Sequence, residues 1–157
     1  EAEVISLGEK LTVVSAGFCA VASQRAVLHL KERGVSAELI NLRTLKPLDT
    51  NTIFSSVKKT GRLLVVDSGA EISSFASEVI SQVSRNCFDY LLAAPEMITA
   101  PDIPEPTSHG VTGEFKFSAL DIAKKIVEMT NSQIDPDWSL LKNVPHDAPN
   151  STYMGPF

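Results

Sequence analysis

Residues 35–66 read VSAELINLRTLKPLDTNTIFSSVKKTGRLLVV, and this stretch decides the fold class. It opens on a β-branched and apolar run, Val35 to Leu42, that reads as a buried strand. Pro47 then punctuates a loop, since its ring fixes φ and removes a backbone donor. Asp49 stands where a helix N-cap belongs, with a helix predicted over about Thr50 to Lys59. Gly61 ends that helix. Arg62 to Val66 is apolar after its first residue and reads as the next strand, so strand, helix and strand follow each other in order.

The same pattern extends outward in both directions. Upstream, Leu11 to Ala16 (LTVVSA) is another short apolar strand, and a helix is expected from Gly17 to about Arg33. Its apolar face carries Ala22, Ala26, Val27 and Leu30, and Gly34 sits where a C-cap glycine belongs. Downstream, a helix is expected over about Ser74 to Asn86, with Ala76, Ile80, Val83 and Cys87 in one stripe. Pro95 to Thr99 reads as a short fourth strand, and the prolines of DIPEP (residues 102–106) exclude regular structure there. Ser118 with Asp121 resembles a capping box opening a final helix to about Thr130, whose apolar face is Ile122, Ala123, Ile126 and Val127. Short apolar strands alternating with amphipathic helices predict an α/β fold of three layers, with a mostly parallel central sheet between helices.

From residue 131 the periodicity stops. DPDW, VPHDAP and YMGPF bring prolines and aromatics without a repeat. Residues 1–130 are therefore expected to form the α/β domain, and residues 131–157 an extended tail lying on a surface of this domain or of a partner. Trp138, Tyr153 and Phe157 are its candidate anchors.

Composition narrows the function classes. The chain has 157 residues, 43% hydrophobic and 21% charged, which suits one globular domain with a real core. A formal net charge of −5 argues against nucleic acid as the main partner, because phosphate binding needs clustered Lys and Arg. No segment approaches the roughly 20 apolar residues of a membrane span, and no signal peptide is visible. Cys19 and Cys87 have no zinc or CxxC spacing, so both are expected as buried reduced thiols.

The motifs of common α/β chemistries are missing. The first strand–helix turn, SAGFCAVAS, holds one glycine where a dinucleotide fingerprint needs three. There is no Gly-Lys-Ser/Thr phosphate loop and no GxSxG elbow. His29 is expected on the solvent side of the first helix. His109 lies in a loop near Glu114, and His146 stands beside Asp147, neither in a catalytic constellation. Arg43 and Asp67, each at the carboxyl end of a strand, are the candidates for contact with a ligand or a neighbouring subunit, since ligand sites in open α/β sheets lie there. Nothing in the pattern assembles a nucleophile, a base and an oxyanion donor, so no catalytic, cofactor-binding or metal-binding residue is assigned.

Residues 40–67, INLRTLKPLDTNTIFSSVKKTGRLLVVD, closely resemble the C-terminal domain of the β subunits of thiamine-diphosphate-dependent 2-oxoacid dehydrogenases. Matching features are Leu42-Arg43, the Lys46-Pro47-Leu48-Asp49 loop, the Ile53-x-x-Ser56-Val57 helix and Thr60-Gly61-Arg62 before an apolar strand. Residues 4–17 and the DIPEP loop resemble further parts of the pattern, which covers about Val4 to Met129. Transketolases and deoxyxylulose-phosphate synthases share the layout less closely. The chain departs from the family at Asp67-Ser68-Gly69, where an acidic pair is usual, and at Ser73-Ser74, where paired glycines are usual.

The resemblance implies a non-catalytic domain for assembly and docking. In the family the intact enzyme decarboxylates a 2-oxoacid and acylates a lipoyl group. Thiamine diphosphate and magnesium bind between an α subunit and the N-terminal domain of the β subunit, outside the region represented by this chain. The implied partners are an α subunit, a second β subunit in an α2β2 assembly, and the lipoyl acyltransferase core; the net charge and the anchored tail lead us to expect that the acidic surface and the terminal carboxylate of Phe157 meet a basic docking domain. The implied location is the bacterial cytoplasm, the mitochondrial matrix or a plastid. Two alternatives are the C-terminal domain of a transketolase or deoxyxylulose-phosphate synthase, and a free-standing small-molecule-binding regulatory domain with a pocket at Arg43 and Asp67.

Overall fold

The computed structural model describes residues 1–104, 116–134 and 137–141. The elements run β1 (Glu3–Ser6), β2 (Leu11–Ala16), α1 (Phe18–Lys31), β3 (Ala37–Leu42), α2 (Thr50–Thr60), β4 (Leu63–Ala70), α3 (Phe75–Asn86), β5 (Glu96–Ala100) and α4 (Ala119–Thr130). Short 3-10 turns occupy Phe88–Tyr90 and Trp138–Leu141. The sheet order is β1-β3-β2-β4-β5. β2, β3, β4 and β5 pair in parallel, and β1 is added antiparallel on β3.

Alternation along the strands divides the core into two layers, because successive side chains of a strand point to opposite faces. Leu11, Val13, Leu39, Leu64 and Val66 face one way and pack with Ala26, Val27 and Leu30 of α1 and Ile122 and Ile126 of α4. Val14, Ile40, Leu42, Leu63 and Val65 face the other way, against Ile53 and Val57 of α2 and Val79 and Val83 of α3. A sheet covered on both faces needs strands that are apolar almost throughout, which is how the sequence reads. The structure is thus the expected three-layer α/β arrangement.

Local signals act where they were placed. Asp49 caps α2: its Oδ1 accepts from the Thr52 amide at 3.2 Å, and its Oδ2 accepts from the Thr52 hydroxyl and the Ala2 amide, both at 2.9 Å. The Ala2 and Thr52 amides hold the Asp49 carboxyl below its ordinary value. Gly61 ends α2 with φ +69, the left-handed cap that glycine adopts without strain. Ser118 and Asp121 form the full reciprocal capping box at the start of α4. The peptide bond between Lys46 and Pro47 is cis.

Two features of the sheet go beyond the sequence reading. β1 is a separate edge strand whose register on β3 shifts between Val4 and Ser6. β4 continues to Ala70, past the expected end at Val66, with a register shift against β5. Among the described residues no helix is long and apolar enough to cross a membrane.

Candidate functional site

From β2 the chain crosses to β3 on one side, then returns over β2 to β4 on the other. The connections therefore diverge above the carboxyl ends of β2 and β4, the place where open α/β sheets hold ligands. Here that crevice is formed by the turn from Gly17 into α1 and by the end of β4 with residues 71–74.

Its polar groups are turned inward. Asp67 lies within β4 and is 6% exposed. Its Oδ1 accepts from the Gly69 amide at 2.9 Å, and its Oδ2 accepts from the Ala76 amide in the first turn of α3 at 3.4 Å. A carboxylate so placed also meets the positive end of the helix dipole. It tethers the end of β4 to the start of α3.

Cys19 is buried beside it. Burial pushes the Cys19 thiol up, the Asp67 charge adds to this, and a hydrogen bond with the Ser68 hydroxyl offsets only part. The thiol is therefore protonated near neutral pH and a poor nucleophile. Cys87 is buried too, and burial likewise raises its thiol. Ser73 takes φ +57, in the left-handed region, and Ser74 caps α3 by accepting from the Ser77 amide at 3.1 Å. A serine with that backbone explains why paired glycines would suit this turn.

A second polar group lies at the opposite, amino end of the sheet, under α2. Glu38 of β3 is 4% exposed. Its Oε2 accepts from Lys59 Nζ and from the Gly8 amide at 3.3 Å. Burial pushes the Glu38 carboxyl up, but bonds from Lys59, Ser56 and Gly8 outweigh it and leave the group below its ordinary value. Thr12 Oγ1 continues the cluster, 2.7 Å from Ser56 Oγ and 2.7 Å from Thr60 Oγ1. Beside it opens a shallow cleft of about 470 Å³, lined by Val4, Glu38, Asn51, Thr52, Ser55, Ser56 and Lys59. Periodicity missed this cluster because Glu38 stands alone in an apolar strand; the unpaired charge was itself the only local signal.

The remaining candidates are dispersed. Arg43 is exposed at the end of β3, where Nη1 donates to Glu3 Oε2 at 2.9 Å across to β1. It does not approach Asp67 closely enough for the two to form an ion pair. Trp138 packs on the α1/α4 layer, and its ring stacks on His29 with centroids 6.0 Å apart. That contact corrects the expected solvent position of His29, which is only 6% exposed. Burial pushes the imidazole below its ordinary value, helped by the Arg33 charge, and Arg33 Nη1 donates to the His29 carbonyl at 2.8 Å. The cover comes from a residue far along the chain, invisible to helix periodicity. Tyr153, Phe157, His109, Glu114 and His146 lie outside the described residues.

This arrangement offers little for a metal–diphosphate. Asp67, the best-placed carboxylate, is held by two amides, and the Gly17 turn has no second glycine. Among the described residues no group of three or more His, Cys, Asp or Glu side chains is arranged to hold a metal ion.

Residues 1–122 match the family model for the transketolase C-terminal domain. The chain is 41% identical over 133 residues to the pyruvate dehydrogenase E1 component subunit beta of Mycoplasma pneumoniae, covering 83% of this chain and 38% of that protein. It is 35% identical over 123 residues to the acetoin:2,6-dichlorophenolindophenol oxidoreductase subunit beta of Cupriavidus necator, covering 78% of this chain and 36% of that one. The chain thus spans well under half the length of these relatives. Among solved structures, a split-gene transketolase described as an inactive β4 tetramer superposes with a TM-score of 0.71 at 20% identity, covering 83% of this chain and 42% of that one.

Proposed function

The chain belongs to the transketolase C-terminal domain family, and on that premise we propose that it is the assembly and partner-docking domain of the β subunit of a decarboxylating 2-oxoacid dehydrogenase. The observation that carries this reading is the state of the strand carboxyl ends. Where an α/β sheet would hold a ligand, Asp67 is bound to its own backbone and Cys19 is protonated. That leaves contact, rather than chemistry, as this domain's part. Identities of 35–41% to two β subunits favour this parent over a transketolase.

In this reading the parent oxidatively decarboxylates a 2-oxoacid with thiamine diphosphate and magnesium, and passes the acyl group to lipoyl. The donor set above does not fit that cofactor, so the cofactor belongs to other parts of the parent. The partners are an α subunit, a second β subunit and the acyltransferase core, in a bacterial cytoplasm or an organelle matrix. Arg43 and Asp67 remain interface candidates, and residues 131–157 the docking tail, with Trp138 its anchor on this domain and Tyr153 and Phe157 its anchors on a partner.

Calorimetric titration of the purified chain with thiamine diphosphate and magnesium tests the division of labour. No binding and no turnover of 2-oxoacid are expected. Micromolar cofactor affinity in the chain alone would overturn it.

A further inference from the structure

Below the crevice, on the α1 side of the sheet, lie polar side chains that the protein's own groups do not satisfy. Among the described residues six buried side-chain polar atoms have no hydrogen-bond partner, and three of them are Ser15 Oγ, Asn41 Oδ1 and Ser23 Oγ. Ser15 and Ser23 are wholly enclosed, each 0% exposed. An oxygen left without a partner in an apolar layer costs stability, so native interiors rarely gather several together.

The fold brings these three to one level. Ser15 of β2 and Asn41 of β3 are register partners in a parallel pair. Ser15 follows Leu11 and Val13 in alternation, and Asn41 follows Ala37 and Leu39, so both point into the layer packed under α1 and α4. Val66 of β4 stands beside Ser15 on the other side. Ser23 comes down to this level from the helix. Cys19, the second residue of α1, bonds Ser68, which lies two residues past Val66, or about 6.6 Å further along the strand. From Cys19 to Ser23 is one helical turn, about 6 Å, in the direction back toward Val66 and Ser15. Ser23 shares the buried face of α1 with Cys19, Ala26 and Val27, so its hydroxyl is turned to the strands.

The needs of the three groups are complementary to one small molecule. Asn41 Oδ1 only accepts, whereas each serine hydroxyl donates once and also accepts. A water molecule gives two protons and takes two. It donates to Asn41 Oδ1 and to one hydroxyl and accepts from the other, which is the roughly three bonds usual for an internal water. A cation would meet only neutral oxygens at this level. Asp67, the one carboxylate of β4, belongs with Leu63 and Val65 to the opposite face and is held by the Gly69 and Ala76 amides.

We propose that Ser15, Asn41 and Ser23 form an internal binding site whose ligand is a single water molecule, bridging β2, β3 and α1. The water completes bonds that no side chain among the described residues supplies, and it pins α1 to the sheet one turn below the crevice. Such a site serves this domain whatever the parent's reaction.

A high-resolution crystal structure of the purified chain tests it, and one solvent peak within hydrogen-bond distance of all three oxygens is expected. In solution, magnetic cross-relaxation from water to the Ser15, Ser23 and Asn41 amides should carry the sign of a long-lived bound water. Ser23→Ala removes one contact and should roughly halve these signals. Ser15→Val fills the space with a methyl group and should abolish them, with thermal melts checking that both variants keep the fold. Melting temperatures in potassium, sodium and choline chloride at equal ionic strength should coincide. A potassium-specific rise, which would mean a cation instead, overturns the proposal. So does a dry interior with the Ser15 and Ser23 hydroxyls bonded directly to each other, or cross-relaxation unchanged in Ser15→Val.

Discussion

The two ends of the sheet each enclose a carboxylate, but hold it in different ways. At the amino end a carboxylate, an ammonium, three hydroxyls and a backbone amide are gathered beneath α2, with Glu38 almost wholly enclosed. At the carboxyl end a single carboxylate, Asp67, is enclosed and held by the Gly69 and Ala76 amides. Large apolar side chains stand in solvent at both ends, Leu7, Phe88 and Leu92 at the amino end and Leu45, Ile72 and Ile103 at the carboxyl end. The amino-end cluster answers to the fold's own stability, since Glu38, Lys59, Thr12, Ser56 and Thr60 bond one another across β2, β3 and α2 and lose those partners if the elements separate. The comparison teaches that, in this domain, enclosure rather than polarity marks what is structural.

Perturbing the two ends should therefore give unequal results. The largest loss belongs to the amino end at Gly8, where an added Cβ would lie 2.1 Å from the Ala37 carbonyl carbon. Gly8→Val should destabilise by about 4 kcal/mol in urea melts, above the usual range for overpacking, because the obstacle is backbone. Glu38→Ala should cost about 3 kcal/mol, since it strands Lys59, the Gly8 amide and the Ser56 hydroxyl together. Lys59 is partly in solvent, which keeps the loss below that of a fully enclosed pair.

The same carboxylate sets an acid limb. Its folded value is below the ordinary 4.5, so the stability it contributes is complete above that value and is lost as pH falls through the lower, folded one. Glu38→Gln should flatten the stability profile in that window and leave it unchanged in slope near neutrality. An unaltered acid limb in this variant would remove Glu38 from the account.

At the carboxyl end the effects are smaller, and one is reversed in sign. Ser73→Gly should stabilise by about 1 kcal/mol, by relieving a left-handed backbone that serine tolerates poorly. Ile72→Asp should change the unfolding free energy of the monomer by less than about 0.5 kcal/mol, as for other exposed positions. A large loss at Ile72 would show that this turn is part of the core, and the contrast between the ends would fail.

What the sequence made legible was local. Pro47, Asp49, Gly61 and the Ser118/Asp121 pair act within a few residues of themselves, so their roles were readable without a fold. The alternation of apolar strands with amphipathic helices likewise made the three-layer class readable, while the face each strand residue takes came from the structure. The features that were not legible depend on partners distant in sequence. His29 is buried because Trp138 covers it, and Glu38 is tolerated because Lys59 and Gly8 reach it from a helix and a loop. The exposed carboxyl end needs the strand order, which places Leu45 and Ile103 at its opposite sides although periodicity treats them as unrelated loop residues. Asp67 was legible as a position at a strand end, but its inward turn depends on the extra length of β4.

The hydroxyl row beneath α2 carries a mismatch in its protons. Ser56, Thr12 and Thr60 own one hydroxyl hydrogen each, yet the row makes four contacts: Ser56 with Glu38, Thr12 with Ser56, Thr12 with Thr60, and Thr60 with the Arg62 carbonyl at 3.2 Å. One contact must go without a proton. An ionised carboxylate is the strongest acceptor present, so the vacancy falls at the far end, on the Arg62 carbonyl, which already accepts the Thr12 amide at 2.9 Å. All three dipoles then point toward Glu38. A glutamine there could donate to Ser56 instead, and the row would reverse so that every contact holds a proton. The charge on one side chain thus sets the polarity of a small wire running from the sheet's third strand to the end of its second helix.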